Sequence, residues 1–359
     1  MPARPSPVRR VLVTLLTVLV VLLAGCTGDD PDDDHDGGRP SEAEIVRSLP
    51  DARAVESAVR SAATSSSKVP EDLVPQPGLI GKYGSLDNLE QRCAHDYGYV
   101  AIEVLCTVGD LSAKRSILLW GDSRAAMWMP ALSRVAEQTG YQLTVVSKLG
   151  CPPLLGVTPW LSAESRPYTE CRAFNEQVPV VVDDFVRPDI VILAGGVRQF
   201  AVAEDGRRRP LGQGNLDNTW TPDPEADQLW QDGLDRSLAS LDDSGAEVFV
   251  LGEAPYPTQD ASVCLAEHED AVQECAVARE TGVYDEHDEA VRATAEDHGA
   301  TYVSPLPWLC DDEVCPAVVD DYVVYRDTFH LNREYVRRIS RALGAAIGLD
   351  EWSAFDPDD

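Results

Sequence analysis

The stretch S-I-L-L-W-G-D-S at residues 116–123, read together with D-T-F-H at residues 327–330, decides the fold of this chain and the place of its chemistry. The apolar run Ile117, Leu118, Leu119 and Trp120 has the form of a buried strand. It ends in Gly121-Asp122-Ser123, and an amphipathic stretch follows at once, carrying Ala125, Met129, Leu132, Val135 and Ala136. A serine therefore stands on the turn between a strand and a helix. Its backbone N–H lies at the helix N-terminus, where developing negative charge is stabilised. Asp327 and His330 are three residues apart, which lets a carboxylate orient an imidazole on a tight turn. Ser123, His330 and Asp327 are candidate nucleophile, general base and orienter of the base in an acyl-transfer enzyme. Taken alone, Ser123 or Asp122 reads as a helix N-cap and His330 as an ordinary satisfied histidine. The three together favour catalysis.

Outward from this strand, short apolar runs alternate with helical periodicity. Strands are expected at 117–120, 143–146, 190–193, 248–251 and 302–303, and helices at 125–138, 171–186, 225–242, 285–298 and 333–347. Apolar strands separated by helices indicate a parallel sheet covered on both faces. With right-handed crossovers this is an α/β fold, a flavodoxin-like three-layer α/β/α sandwich on a five-stranded parallel sheet. Ligands then sit at the carboxyl ends of the strands, which is where Ser123 lies. Trp120 and Trp128 are expected in the core.

The N-terminal residues address the compartment. Arg9 and Arg10 precede an apolar run at 11–23 that closes in Leu23-Ala24-Gly25-Cys26. A basic start, a short apolar core and small residues before a cysteine form a secretory signal. The run is shorter than the roughly 20 apolar residues of a membrane span, so an uncleaved anchor is the weaker alternative. Cys26 in this setting resembles the cysteine of a bacterial lipobox, which implies cleavage before it and lipidation of its thiol. The expected organisation is a signal peptide at 1–25, an acidic spacer at 26–40, an N-terminal helix with an extended arm at 41–115, a catalytic domain at 116–350 and an acidic tail at 351–359. The helix is placed at 41–62, and six aspartates mark the spacer.

Nine cysteines are present, and setting Cys26 aside leaves Cys93, Cys106, Cys151, Cys171, Cys264, Cys275, Cys310 and Cys315. An even number in an exported chain reads as disulfides. Pairing in sequence order is the simplest of the roughly 105 connectivities that eight cysteines allow. Cys310 and Cys315 are not joined by a second close Cys or His pair, and the histidines show no ligand spacing, so no metal is expected. No phosphate-binding glycine loop is present, and no cofactor is expected. The net charge is −31; residues 1–25 hold three arginines and no acid, so the chain beyond them carries −34. Such a surface disfavours nucleic acid and anionic headgroups. The membrane is expected to be reached through the lipid anchor that the lipobox resemblance implies.

The segment L-L-W-G-D-S-R-A-A-M-W-M-P-A-L at 118–132 resembles the first block of the SGNH (GDSL-like) hydrolases. It is closer to the SGNH domain fused to integral-membrane O-acyltransferases of the acyltransferase-3 family. Matching pieces occur at 68–75, 150–153, 171–175, 188–194 and 310–315, and D-T-F-H-L-N at 327–332 resembles the last block. The resemblance covers roughly residues 41–348. It implies Ser123 as nucleophile, His330 as base and Asp327 as its partner. It also implies an oxyanion hole built from the serine N–H, a glycine and an asparagine. Gly150 is the candidate glycine. The third-block region reads Ala194-Gly195-Gly196-Val197-Arg198 and holds no asparagine. Either Gly196 N–H or Arg198 substitutes, or oxyanion stabilisation is weakened, at a typical cost of about 100- to 1,000-fold in rate. Arg124 follows the serine where membrane-fused relatives usually carry histidine. It is expected to bind an anionic sugar or to cap a loop, and Arg198 is a second candidate for substrate binding.

The resulting expectation is an extracytoplasmic lipoprotein, a serine esterase or O-acyltransferase acting on acylated cell-envelope glycans. Two alternatives stand beside it. One is a catalytically impaired glycan-binding lipoprotein. The other is a module that receives acyl groups from a separate membrane acyltransferase.

Overall fold

Five apolar runs become five parallel strands in a computed structural model that describes residues 41–80, 93–103, 105–202, 206–211 and 224–353. The signal, Cys26, the spacer and residues 354–359 lie outside the described residues. Seven strands make the main sheet: β1 (Ala94–His95), β2 (Cys106–Gly109), β3 (Arg115–Gly121), β4 (Tyr141–Lys148), β5 (Ile190–Ala194), β6 (Glu247–Leu251) and β7 (Thr301–Val303). The five strands read from the apolar runs are parallel in the order β4-β3-β5-β6-β7. Their first crossover goes to one side of β3 and the later ones to the other, which is the flavodoxin-like order. The switch falls beside β3, so the end of that strand opens into a crevice between its neighbours.

Alternation along β3 sends side chains to two cores. Ile117 and Leu119 join Leu132, Val135, Val336 and Leu343, whereas Leu118 and Trp120 join Phe174, Leu234, Leu238 and Val291. The first core is covered by α2 (Ala52–Ala63), α4 (Met129–Thr139), α8 (Arg333–Arg338) and α9 (Ser340–Ala346); the second is covered by α5 (Thr169–Asn175), α6 (Pro224–Ala239) and α7 (Asp285–Asp297). Trp120 and Trp128 are both buried. Among the described residues no helix is long and apolar enough to cross a membrane.

Several expectations change in detail. The segment 41–115 supplies the sheet edge: β1 runs parallel to Ser147 and Lys148, β2 runs antiparallel to residues 142–145, and Cys93–Cys106 joins the two. The described residues from Ser41 onward cluster as a single unit. The helix expected at 41–62 divides around Pro50 into α1 (Glu42–Arg47) and α2, and Asp51 caps the second piece through the Ala54 N–H at 2.9 Å. The helix expected at 125–138 divides into α3 (Ser123–Ala126) and α4. Pro130 stands in the first turn of α4, where its missing N–H is no loss. The last helix divides at Ile339. The four disulfides pair in sequence order: Cys93–Cys106, Cys151–Cys171, Cys264–Cys275 and Cys310–Cys315.

Candidate active site

The turn after β3 is shaped by a close approach. A Cβ on Gly121 would lie 1.8 Å from the carbonyl oxygen of Ala194 on β5, so only glycine fits. The next residue is the cap. Asp122 Oδ1 accepts the Arg124 N–H at 2.8 Å, while Oδ2 accepts the Gly196 N–H at 2.9 Å and Gln199 Nε2 at 2.8 Å. Burial pushes this carboxyl up, against the pull of those backbone donors. Because Asp122 caps α3, the Ser123 hydroxyl is left to face the cleft.

Ser123 Oγ lies 2.9 Å from His330 Nε2. The other ring nitrogen, Nδ1, lies 2.9 Å from Asp327 Oδ1 and 3.0 Å from Oδ2. The loop is wound around this carboxylate, which also accepts the N–H groups of Phe329 at 2.7 Å and His330 at 2.8 Å, and Arg326 Nε at 2.9 Å. Burial opposes ionisation of Asp327, but the His330 and Arg326 donors hold its carboxyl well below the usual carboxylate range. Burial pushes the His330 imidazole below its ordinary 6.5, and Asp327 offsets this only in part. The uncharged form of the ring is thereby favoured. With Asp327 ionised, Nδ1 carries the proton and Nε2 is the acceptor facing the serine.

These groups open on a cleft of about 250 Å3 walled by Tyr97, Gly150, Trp160, Tyr168, Phe200 and Phe329. Two hairpins, Trp160–Leu161 with Arg166–Pro167 and Gln199–Val202 with Arg208–Leu211, meet through a Pro159–Ala201 bridge to make one side. Gly150 adopts φ +60°, the left-handed region that favours glycine. Its loop is held by the Tyr168 hydroxyl on the Leu149 carbonyl at 3.0 Å and by Cys151–Cys171. On the other side of that loop, the buried Lys148 ammonium donates to the carbonyls of Asp96 at 2.6 Å and Tyr97 at 2.9 Å. Burial pushes it down to about 8.

Of the residues singled out in the sequence, Ser123, His330, Gly150, Gly196, Arg124 and Arg198 line this cleft with Asp327 behind His330, but Gly196 and Arg124 are committed within the protein. Gly196 N–H is committed to Asp122 and is not available to an oxyanion. Arg124 is not a cation offered to substrate. The residue is 4 % exposed, and its guanidinium pairs with Glu253 Oε2 at 2.9 Å, donates to the carbonyls of Phe329 and Ala254, and stacks 4.0 Å from the Tyr256 ring centroid. A guanidinium taken out of water must satisfy its charge and N–H groups internally; Nη1 and Nη2 do so on the two carbonyls and Glu253, while the buried Nε finds no hydrogen-bond acceptor. Arg198 is buried too; its Nε donates to the Tyr284 hydroxyl at 2.5 Å, and it lies over the same Tyr256 ring at 4.3 Å.

Glu253, Tyr256, Gln199 and Lys148 did not stand out in the sequence. A signal existed for Glu253 and Tyr256, which follow the carboxyl end of β6, where an open α/β sheet gathers ligands.

A family model described as the SGNH domain (fused to AT3 domains) matches residues 92–345. The chain belongs to this family. Solved structures similar to this SGNH domain include the periplasmic domain of a lipopolysaccharide acetyltransferase from Salmonella ser. Paratyphi A, at 17 % identity, 74 % coverage of this chain, 98 % of that chain and TM-score 0.49. A putative acylhydrolase from Bacteroides fragilis is similar at 11 % identity, 74 % and 96 % coverage and TM-score 0.35. LAE5, an alpha/beta hydrolase enzyme from the metagenome of Lake Arreo, is similar at 15 % identity, 67 % and 98 % coverage and TM-score 0.32. No curated protein sequence matches the chain. In this SGNH domain the third block directs the Gly196 N–H to Asp122 and the Val197 N–H to Glu253 and the Tyr256 hydroxyl.

Proposed function

We propose that this SGNH domain is a serine O-acyl ester hydrolase or O-acyltransferase working on acylated cell-envelope glycans, outside the cytoplasm and anchored by lipid on Cys26. The observation that carries the reading is the 2.9 Å contact of Ser123 Oγ with His330 Nε2, with Asp327 on the far nitrogen. His330 takes the hydroxyl proton as Ser123 Oγ bonds to the acyl carbonyl carbon. The carbonyl electrons move onto oxygen, toward the N–H groups of Ser123 and Gly150. When they return, the C–O bond to the sugar breaks, and His330 gives its proton to the departing sugar oxygen. A water or a second sugar hydroxyl then attacks the acyl-serine by the same path in reverse. Asp327 keeps Nδ1 protonated throughout and stabilises the transient imidazolium. The four disulfides favour an oxidising compartment, and the apolar run before Cys26 favours export. A family usually fused to AT3 domains favours acyl transfer to or from glycans, with a separate membrane acyltransferase as a partner.

The test is turnover of p-nitrophenyl acetate and of O-acetylated polysaccharide by the purified protein and by Ser123→Ala. Turnover by the parent that disappears in the variant is expected. Equal rates in both would remove Ser123 from the chemistry. Glycan binding without any turnover would place the binding-protein reading ahead.

A further inference from the structure

We propose that Arg124 is a positioning residue: from inside the protein its guanidinium docks the His330 loop onto the serine turn, with Glu253 as its counter-ion. The proposal rests on the roles just given to Ser123 and His330. The main chain of Arg124 belongs to the serine turn, fixed by its N–H on Asp122 Oδ1 at 2.8 Å. Its side chain ends on the carbonyl of Phe329, the residue before His330. One residue thus joins the backbone that carries the nucleophile to the backbone that carries the base.

The loop's other ties explain why such a joint is needed. Asp327 accepts from Phe329, His330 and Arg326, Arg326 N–H donates to the His330 carbonyl at 2.9 Å, and Asn332 N–H donates to the Val324 carbonyl at 2.7 Å. All of these lie within residues 324–332. They set the loop's shape and leave its distance from Ser123 to contacts from outside. Arg124 supplies one, and the Phe329 ring against Tyr256, centroids 6.1 Å apart, supplies another. Arg124 also reaches the Ala254 carbonyl, and its partner Glu253 accepts the Val197 N–H at 2.6 Å. The same fork therefore gathers the turns after β3, β5 and β6 with the His330 loop. A lysine could keep the charge but not the fork, because an ammonium is a single point rather than a planar array of donors. Two cations near the imidazole, Arg326 more than Arg124, further favour its neutral, proton-accepting form.

Three variants of the full chain separate positioning from bulk stability: Arg124→Lys, Arg124→Gln and the double Arg124→Met with Glu253→Leu. An apolar replacement of a whole buried pair is often neutral for stability, so the double keeps the question answerable should a single variant fail to fold. Two readouts are taken: kcat and KM on p-nitrophenyl acetate, and the pH titration of the His330 ring by 15N NMR, which needs no turnover. Arg124→Lys should lose about 10- to 100-fold in kcat, the scale of a misplaced catalytic group, with KM within about twofold and the imidazole midpoint unchanged. Arg124→Gln and the double should lose kcat similarly and move the imidazole midpoint upward. The proposal is overturned if the double, melting near the parent, keeps parental kcat, or if His330 titrates identically in parent, Arg124→Gln and the double. Should the parent itself turn over no ester, the assigned function fails, and the NMR titration alone decides whether Arg124 governs His330.

Discussion

Removing the Cys151–Cys171 bridge, as Cys151→Ala with Cys171→Ala, should cost stability and almost no activity. The bridge closes a loop with a sequence separation of 20. Chain-entropy arithmetic assigns such a loop about 3.3 kcal/mol at 25 °C through restriction of the unfolded chain. At roughly 2–4 °C per kcal/mol for a large domain, Tm should fall by about 7–13 °C. The folded cleft should keep its shape, because the Gly150 loop has other ties. The Tyr168 hydroxyl holds the Leu149 carbonyl at 3.0 Å, Asn175 Nδ2 holds Pro152 at 2.7 Å, and Ser237 Oγ holds Pro153 at 2.8 Å. Asn175 is itself pinned by Trp120 Nε1 at 3.0 Å. So kcat/KM should stay within about threefold of the parent, since a group held in place by its remaining contacts need not move. The same treatment of Cys310–Cys315, with a separation of 5, should cost about 2 kcal/mol, a smaller fall in Tm. The assay is thermal and urea unfolding beside ester hydrolysis. A tenfold loss of kcat/KM with only a slight change in Tm would refute this reasoning, showing that the bridge shapes the cleft rather than restraining the unfolded chain.

Ser123→Ala should abolish ester turnover while removing one hydrogen bond worth about 1 kcal/mol, a small shift in calorimetry; unfolding of the variant would mean that the serine is structural. His330→Ala added to Ser123→Ala should be little worse than Ser123→Ala alone, because members of one catalytic unit are non-additive, and Asp327→Asn should hurt less than His330→Ala; losses that multiply fully in kcat/KM would separate the two residues. Activity should fall on the acid side with a midpoint below 6.5, since burial lowers the His330 pKa and only the neutral ring accepts a proton. The sign for stability is the same: a histidine lowered on folding contributes fully above 6.5 and loses that contribution as pH falls through its lower folded value. A kcat/KM profile with its acid midpoint above 6.5 would contradict that burial.

What the sequence disclosed, and what it did not, follows from how far each interaction reaches. Strands buried on both faces must be apolar at every position, so β3 and β5 could be read one strand at a time. β1 and β2 are edge strands of two and four half-buried residues, and they carry no period to read. Ser123 and the Asp327–His330 pair were legible because each is local: a serine at a strand end, and a carboxylate three residues before an imidazole. Gly196 was misjudged because a sequence shows that an N–H exists and not what accepts it; the acceptor, Asp122, is 74 residues away. Of the two uses the sequence left open for Arg124, its contacts match the capping of a loop, and its counter-ion, which comes from the end of another strand, could not be read locally. These two findings have one physical consequence. Gly196 N–H and Gln199 Nε2 both donate to Asp122 Oδ2, and Asp122 Oδ1 holds the N–H of Arg124. Gly196 and Gln199 therefore act through the cap of α3, fixing the turn on which Ser123 stands. A buried carboxylate with three donors is costly to disturb. Asparagine at position 122 keeps a single carbonyl oxygen for three N–H groups, so the serine turn is where such a change would be felt first.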